Sequence, residues 1–186
     1  VTARCAALLL LLGWFMAGQA AAEADGFRVL RAELIQRDAS WELNADLDYR
    51  FSDAVIDALR NGVSLTLELR LQVLRERAWL WNETVLDARR RVTVRYHSLT
   101  KLYQLTVENT DTPSNFASLG ALLENLGTVR ALKMAPADRL PTGARYRAKM
   151  AVKLDIESLP LPLRPIAYLT PAWRLSSPWF RWSFVN

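Results

Sequence analysis

Residues 41–51, WELNADLDYRF, decide the fold. Trp41, Leu43, Ala45, Leu47, Tyr49 and Phe51 take every second position, with Glu42, Asn44, Asp46, Asp48 and Arg50 between them. Successive side chains of a strand point to opposite faces, so a period of two gives one apolar face and one polar face. Such a strand belongs to an antiparallel sheet with one face in a core and the other in water. Strands of a parallel sheet, covered on both sides, read instead as continuous apolar runs.

The pattern extends in both directions. Residues 63–73 carry Val63, Leu65, Leu67, Leu69, Leu71 and Val73 on one side. Residues 91–96 carry Val92, Val94 and Tyr96, and residues 103–107 carry Tyr103, Leu105 and Val107. Residues 145–157 carry Tyr146, Ala148, Met150, Val152, Leu154 and Ile156, and a weaker strand over 27–36 places Leu30, Ala32 and Leu34 inward. Two of these runs are long against the usual five or six residues. Long half-buried strands pack as two sheets or curl into a barrel. The expected fold is therefore mainly β: an antiparallel β-sandwich, or flattened barrel, with two short helices.

The helices are SDAVIDALRNG (52–62) and SLGALLENLG (118–127). Ser52 and Ser118 stand where an N-cap hydroxyl is needed, Asn61-Gly62 and Gly127 mark the stops, and the leucines of the second recur at helical spacing. The segments 108–115 and 135–143 are turn-rich loops. In residues 75–85, RERAWLWNETV places Trp79 and Trp81 on one side of a strand, continuing the set of Leu71 and Val73; core is the default, and the alternative is a groove for an apolar ligand.

The tail, from Leu159 to Asn186, holds Pro160, Pro162, Pro165, Pro171 and Pro178. Proline donates no ladder hydrogen bond, so an extended, polyproline-like segment across one end of the fold is expected. A final edge strand, WFRWSF, should turn Phe180, Trp182 and Phe184 inward. Its register leaves Trp173 and Trp179 less clearly buried, and beside Arg174 and Arg181 they form a candidate partner-binding patch.

The chain has 186 residues, half of them hydrophobic, with 24 basic and 19 acidic residues and a net charge of +5. That is enough for one domain with its own core. Residues 1–22 combine Arg4, an apolar run from Cys5 to Ala17 and a small-residue end, the layout of a secretory signal peptide. Cleavage is expected after Ala22, with Ala24 the second choice; an uncleaved membrane anchor is the competing reading. Residues 23–186 then form a single β-sandwich domain in the periplasm, without the only cysteine. A disulfide-free domain must rest on its core.

RYHSLTKLYQLT (95–106), FASLGALLENLG (116–127) and the tail residues Tyr168, Trp173, Leu175, Ser176, Ser177, Trp179, Phe180 and Trp182 resemble the bacterial DUF4390 family of exported proteins of unknown function. The resemblance covers nearly all of the chain after residue 22. It departs at Pro178, where glycine is expected, and at Phe180, where tyrosine is common. It implies no activity, cofactor or catalytic residue. Family genes often lie beside genes for a nitrogen-regulation-type sensor kinase, which hints at a pathway.

Little chemistry is expected. One histidine and no cysteine after residue 22 argue against a zinc site. His97 should be an exposed strand residue, and no G-x-S-x-G, Walker or G-x-G-x-x-G motif is present. Asp46 and Asp48, two apart on an outward face, are the only pair considered for carboxylate chemistry. No cofactor, no metal and no enzymatic activity are expected. The cations are more informative: Arg89, Arg91 and Arg95 share one strand face, and Arg145, Arg147, Lys149 and Lys153 share another. If those strands are neighbours they make a basic surface for an unknown acidic protein partner, such as a membrane-protein ectodomain, or for contact with a membrane surface. Export excludes nucleic acid. The alternatives are a carrier of a lipid or other apolar ligand, and, less favoured, a hydrolase.

Overall fold

A computed structural model describes residues 26–77, 83–108, 110 and 112–186. Its strands are β1 (Gly26–Arg37), β2 (Ser40–Arg50), β3 (Leu65–Arg75), β4 (Glu83–His97), β5 (Leu102–Val107), β6 (Ser114–Phe116), β7 (Thr128–Pro136), β8 (Arg145–Leu154) and β9 (Phe180–Val185). Helix α1 (Asp53–Arg60) follows β2, α2 (Leu119–Gly127) precedes β7 and α3 (Arg164–Leu169) lies in the tail. A three-stranded sheet runs β1-β2-β7 and a six-stranded sheet runs β6-β5-β4-β3-β8-β9; every named pairing is antiparallel. The fold is the expected sandwich, with open sheets. The signal-peptide reading of residues 1–22, both cleavage positions, and Trp79 and Trp81 lie outside the described residues.

The period-two residues meet between the sheets. From Trp41 to Tyr49 the odd positions of β2 are buried, as are Leu65 to Val73 on β3 and Tyr146 to Leu154 on β8. Aromatic rings join the layers: Trp41 of β2 lies 5.7 Å from Phe184 of β9, which stacks on Tyr146 of β8 at 5.4 Å. The polar ends of the rings are satisfied at the rim, where Trp41 Nε1 donates to the Ala137 carbonyl at 3.2 Å and Tyr146 Oη to that of Pro141 at 2.7 Å. Each such side chain removed from water contributes about 1.5–3 kcal/mol.

Both expected helices form with their serine caps. Ser118 Oγ accepts from Ala121 N, while Ser52 Oγ accepts from Val55 N and donates to the Ala172 carbonyl at 2.6 Å, tying α1 to the tail. Gly127 ends α2 because β2 approaches it closely: a Cβ there would stand 2.6 Å from the Leu47 carbonyl oxygen. We expect Gly127→Ala to lower stability by about 1–3 kcal/mol, the usual cost of forcing atoms into a packed site. A urea midpoint equal to the parent's would contradict that contact.

Two expectations are corrected. Leu30 is 61% exposed, not inward, because a bulge between Val29 and Arg31 inserts one residue and shifts the alternation; Phe27 faces the core before it, Ala32 and Leu34 after it. The tail is not polyproline-like: Leu161–Leu163 and Pro171–Trp173 are 3₁₀ turns on either side of α3. Pro162, Pro165 and Pro171 stand at the first or second positions of these turns, where a missing N–H is harmless and the fixed φ suits a helix. A strand not expected from the sequence is β7, which carries no period-two pattern. Two irregularities in its register with β2 and a left-handed Ala131 (φ 50°) break the alternation of Val129, Leu132 and Met134.

Candidate interaction face and inter-sheet cleft

The outward side of the six-stranded sheet gathers the cations. Arg89, Arg91 and Arg95 come from β4, Arg145, Arg147, Lys149 and Lys153 from β8. The two strands are not adjacent, as the simplest reading required, because β3 runs between them. Its own outward residues include Arg70, which stands opposite Arg89, and Glu68, which stands opposite both Arg91 and Lys153. The two basic stripes and β3 thus form one surface rather than two.

Register also carries part of the tail onto this surface. β9 pairs with β8 so that Arg181 lies beside Lys149. Just before β9, the half-buried Trp179 ring sits under the Lys149 ammonium, 4.7 Å from centroid to Nζ. Trp179, Arg70, Lys153, Glu68 and Ser177 border a shallow depression of about 210 Å³. Trp173 does not belong here: it is buried, packed where the tail crosses α1. Arg174 is exposed but turned to its own segment, donating to the Tyr168 carbonyl at 2.8 Å. Of the four tail candidates, two join the basic face and two do not.

Carboxylates on these strands are already engaged. Glu68 is buried and held by Arg91 at 3.1 Å and Lys153 at 3.5 Å. Asp87 accepts from Arg70 at 3.1 and 2.6 Å and from Gln72 at 2.8 Å, and Arg147 is paired with Glu76 at 2.7 Å. Among the described residues, Arg89, Arg95, Arg145, Lys149 and Arg181 have no carboxylate partner. The face therefore presents uncompensated positive charge around a tryptophan.

The Arg70 hydrogen bonds hold the Asp87 carboxyl down at about 2, against partial desolvation and with help from Gln72 and the charges of Arg70 and Arg89. A carboxyl lower in the folded than in the unfolded state stabilises above pH ~4 and loses that contribution as pH falls toward ~2. The pair is about one third exposed, so the effect is small. Asp87→Asn should flatten the stability–pH curve between pH ~4 and ~2; a variant curve running parallel to the parent's would refute this.

His97 lies in the six-stranded sheet, apart from Asp46 and Asp48 in the three-stranded one. His97 ends β4, where Nε2 and Gln104 Oε1 are hydrogen-bonded at 3.1 Å. Asp46 pairs with Arg130 at 2.5 Å, and Asp48 lies between Arg28 and Arg50 at 3.0 and 3.1 Å. No three metal-ligating side chains come together among the described residues, and no described helix is long and apolar enough to cross a membrane.

A family model described as a domain of unknown function, DUF4390, matches residues 24–183. The chain belongs to the DUF4390 family. No curated protein and no solved structure matches it. In this member of the family, the tail motif divides its work: Trp173 and Leu175 are buried, while Trp179 reaches the basic face.

A second feature of the site escaped the sequence. Between the sheets, under the edge formed by β7 and α2, lies a cleft of about 220 Å³. Leu67 and Leu69 of β3, Val92 of β4 and Leu105 of β5 make one wall, Leu126, Val129 and Leu132 the other, with Tyr49 and Arg90 also lining it. Trp79 and Trp81, the residues read as a possible apolar groove, lie outside the described residues.

Proposed function

We propose that the protein is an exported, non-enzymatic interaction module of the periplasm whose basic sheet face docks on an acidic protein surface, such as the ectodomain of a membrane protein. One observation carries this reading: the outward cations of β4, β8 and β9 share one sheet face with Trp179, and the carboxylates among them, Glu68 and Asp87, are consumed by Arg91, Lys153 and Arg70, while Glu83 at the start of β4 is paired with Arg77. Uncompensated charge of one sign steers a partner of the other sign, and a partly buried aromatic within it supplies an anchor. The gene neighbourhood implied by the family resemblance makes a membrane sensor kinase the first partner to test. Export keeps nucleic acid out of reach.

The test is co-purification from envelope extract at low and high salt, with a variant reversing Arg89, Arg145 and Lys149 to glutamate. The parent should retain a specific membrane protein at low salt and release it at high salt, since exposed charges are screened within about 10 Å at 0.1 M. The variant should lose it at both. Retention by the variant would contradict the reading. Tighter capture by anionic phospholipid vesicles than by any protein would reassign the face to a lipid surface.

A further inference from the structure

We propose that the inter-sheet cleft binds a small anionic amphiphile, its chain against Leu69, Val92, Leu105 and Leu132 and its head group on the Arg90 guanidinium. This site is independent of the basic face. Arg90 lies between Arg89 and Arg91 in sequence, so alternation turns it to the opposite side of the sheet, in register with Leu69. It is a charged side chain at a core position of an otherwise apolar wall.

The polar partners of Arg90 explain its placement only in part. Its guanidinium donates to the Lys133 carbonyl at 2.8 Å and to the Arg89 carbonyl at 3.1 Å. These bridge β4 to β7 and satisfy two of five donors. No carboxylate among the described residues pairs with it. A half-buried cation held only by carbonyls has no counter-ion, and an anion arriving in the cleft would supply one. Arg130, the other cation at the rim, is already paired with Asp46.

Tyr49 gives the second, separate indication. It is 92% buried by area, at 8% exposure, and its hydroxyl has no hydrogen-bond partner among the described residues. Among the described residues no fully buried side-chain polar atom is left unsatisfied, so this oxygen retains contact with solvent, and the space its side chain lines is the cleft. Burial pushes its ionisation well above the ordinary tyrosine value, so it stays a neutral donor. An unpaired donor and an unneutralised cation thus border one apolar space at separate places: Arg90 bonds to Lys133, which lies opposite Glu42, seven residues along β2 from Tyr49, so the cation fixes the head and the apolar wall takes the chain.

Volume limits the ligand. A cavity of about 150 Å³ holds one benzene ring, and pockets for drug-sized ligands start near 300 Å³. A cleft of about 220 Å³ suits a single short chain and excludes a two-chain phospholipid. The opening past the edge strand β7 leaves the end of the ligand in water.

Octanoate and 1-octanol, which share a chain and differ in head charge, are the probes, titrated below micelle formation into the isotope-labelled full chain. Octanoate should give saturable shifts and intermolecular NOEs at the methyls of Val92, Leu105 and Leu132. It should bind more tightly than octanol. Arg90→Gln should weaken octanoate about tenfold or more and change octanol less than about twofold, since a hydrogen bond to a charged group contributes about 1.5–3 kcal/mol. Absence of saturable octanoate shifts at these methyls in the parent, equal affinity for the two probes, or indifference of octanoate to Arg90→Gln would each overturn the proposal. The parent's NOEs decide the matter if a variant fails to fold.

Discussion

Replacing Trp173 with alanine should lower the unfolding free energy by about 3–5 kcal/mol, the range for emptying a large buried aromatic site. Trp173 ends a 3₁₀ turn whose preceding residue, Ala172, accepts from Ser52 Oγ at the head of α1. Beyond it Leu175 is buried and its carbonyl accepts from Leu154 N at 2.8 Å, so the indole sits where the tail is stitched to both α1 and β8. Its loss would leave a cavity beneath a segment that cannot collapse without breaking those bonds. Trp179→Ala, on the half-exposed ring beside Lys149, should cost only about 0.5–1 kcal/mol for the cation–π contact and a fraction of the ring's burial on top. Urea unfolding of the two variants separates closure from recognition. Equal losses, or a milder one at Trp173, would mean that the tail does not close the fold as described.

The second large effect concerns Glu68. Its carboxylate is almost fully buried on the outer side of the sheet, with Arg91 and Lys153 as its partners. Arg91→Met with Lys153→Met would leave an uncompensated buried charge, at a cost of about 3–5 kcal/mol. Adding Glu68→Met to that pair should restore most of the stability, because a buried ion cluster replaced by apolar residues of similar size is often neutral or stabilising. The coupling between the third substitution and the first two is the measured quantity. If Glu68→Met fails to rescue, the cost lies in lost packing of the two long cation stems rather than in the orphaned carboxylate. The cluster also bears on the proposed docking: Arg91 and Lys153 are spent on Glu68, so their neighbours carry the uncompensated charge of the face.

Alternation made β2, β3, β8 and the fold class legible, because a strand with one face in water must declare it residue by residue. Where the backbone departs from the regular pleat, the signal fails. Leu30 reads as a core residue until one inserted position at the bulge turns it outward. Thr128–Pro136 reads as nothing at all, since two register shifts and Ala131 remove its period. Proline in the tail argued for extension; its compatibility with the first turn of a helix won instead.

The basic face was half legible. The two cation stripes follow from alternation alone, but strand order is a tertiary fact, and nothing in residues 63–73 announces that Glu68 and Arg70 separate the stripes. Trp179 could be singled out and Trp173 could not be told from it, because both precede or follow turns where alternation has no phase. Arg90 was hidden differently. Within DARRRVTV it looks like one more cation of a charged run, and only the phase of β4 against Leu69 places it among apolar side chains. A basic residue at an inward position of an alternating strand was the available signal.

Photocrosslinking in living cells tests the docking face most directly. A photoreactive residue at Arg181, on the basic face, should yield a discrete adduct with one envelope protein. The same residue at Arg31, exposed on the outer side of the three-stranded sheet, should yield none. Reversing Arg89, Arg145 and Lys149 to glutamate should abolish the Arg181 adduct while the chain still folds. Adducts of equal intensity from both positions, an adduct from Arg31 alone, or none from Arg181 would contradict the assignment of the basic sheet face as the docking surface.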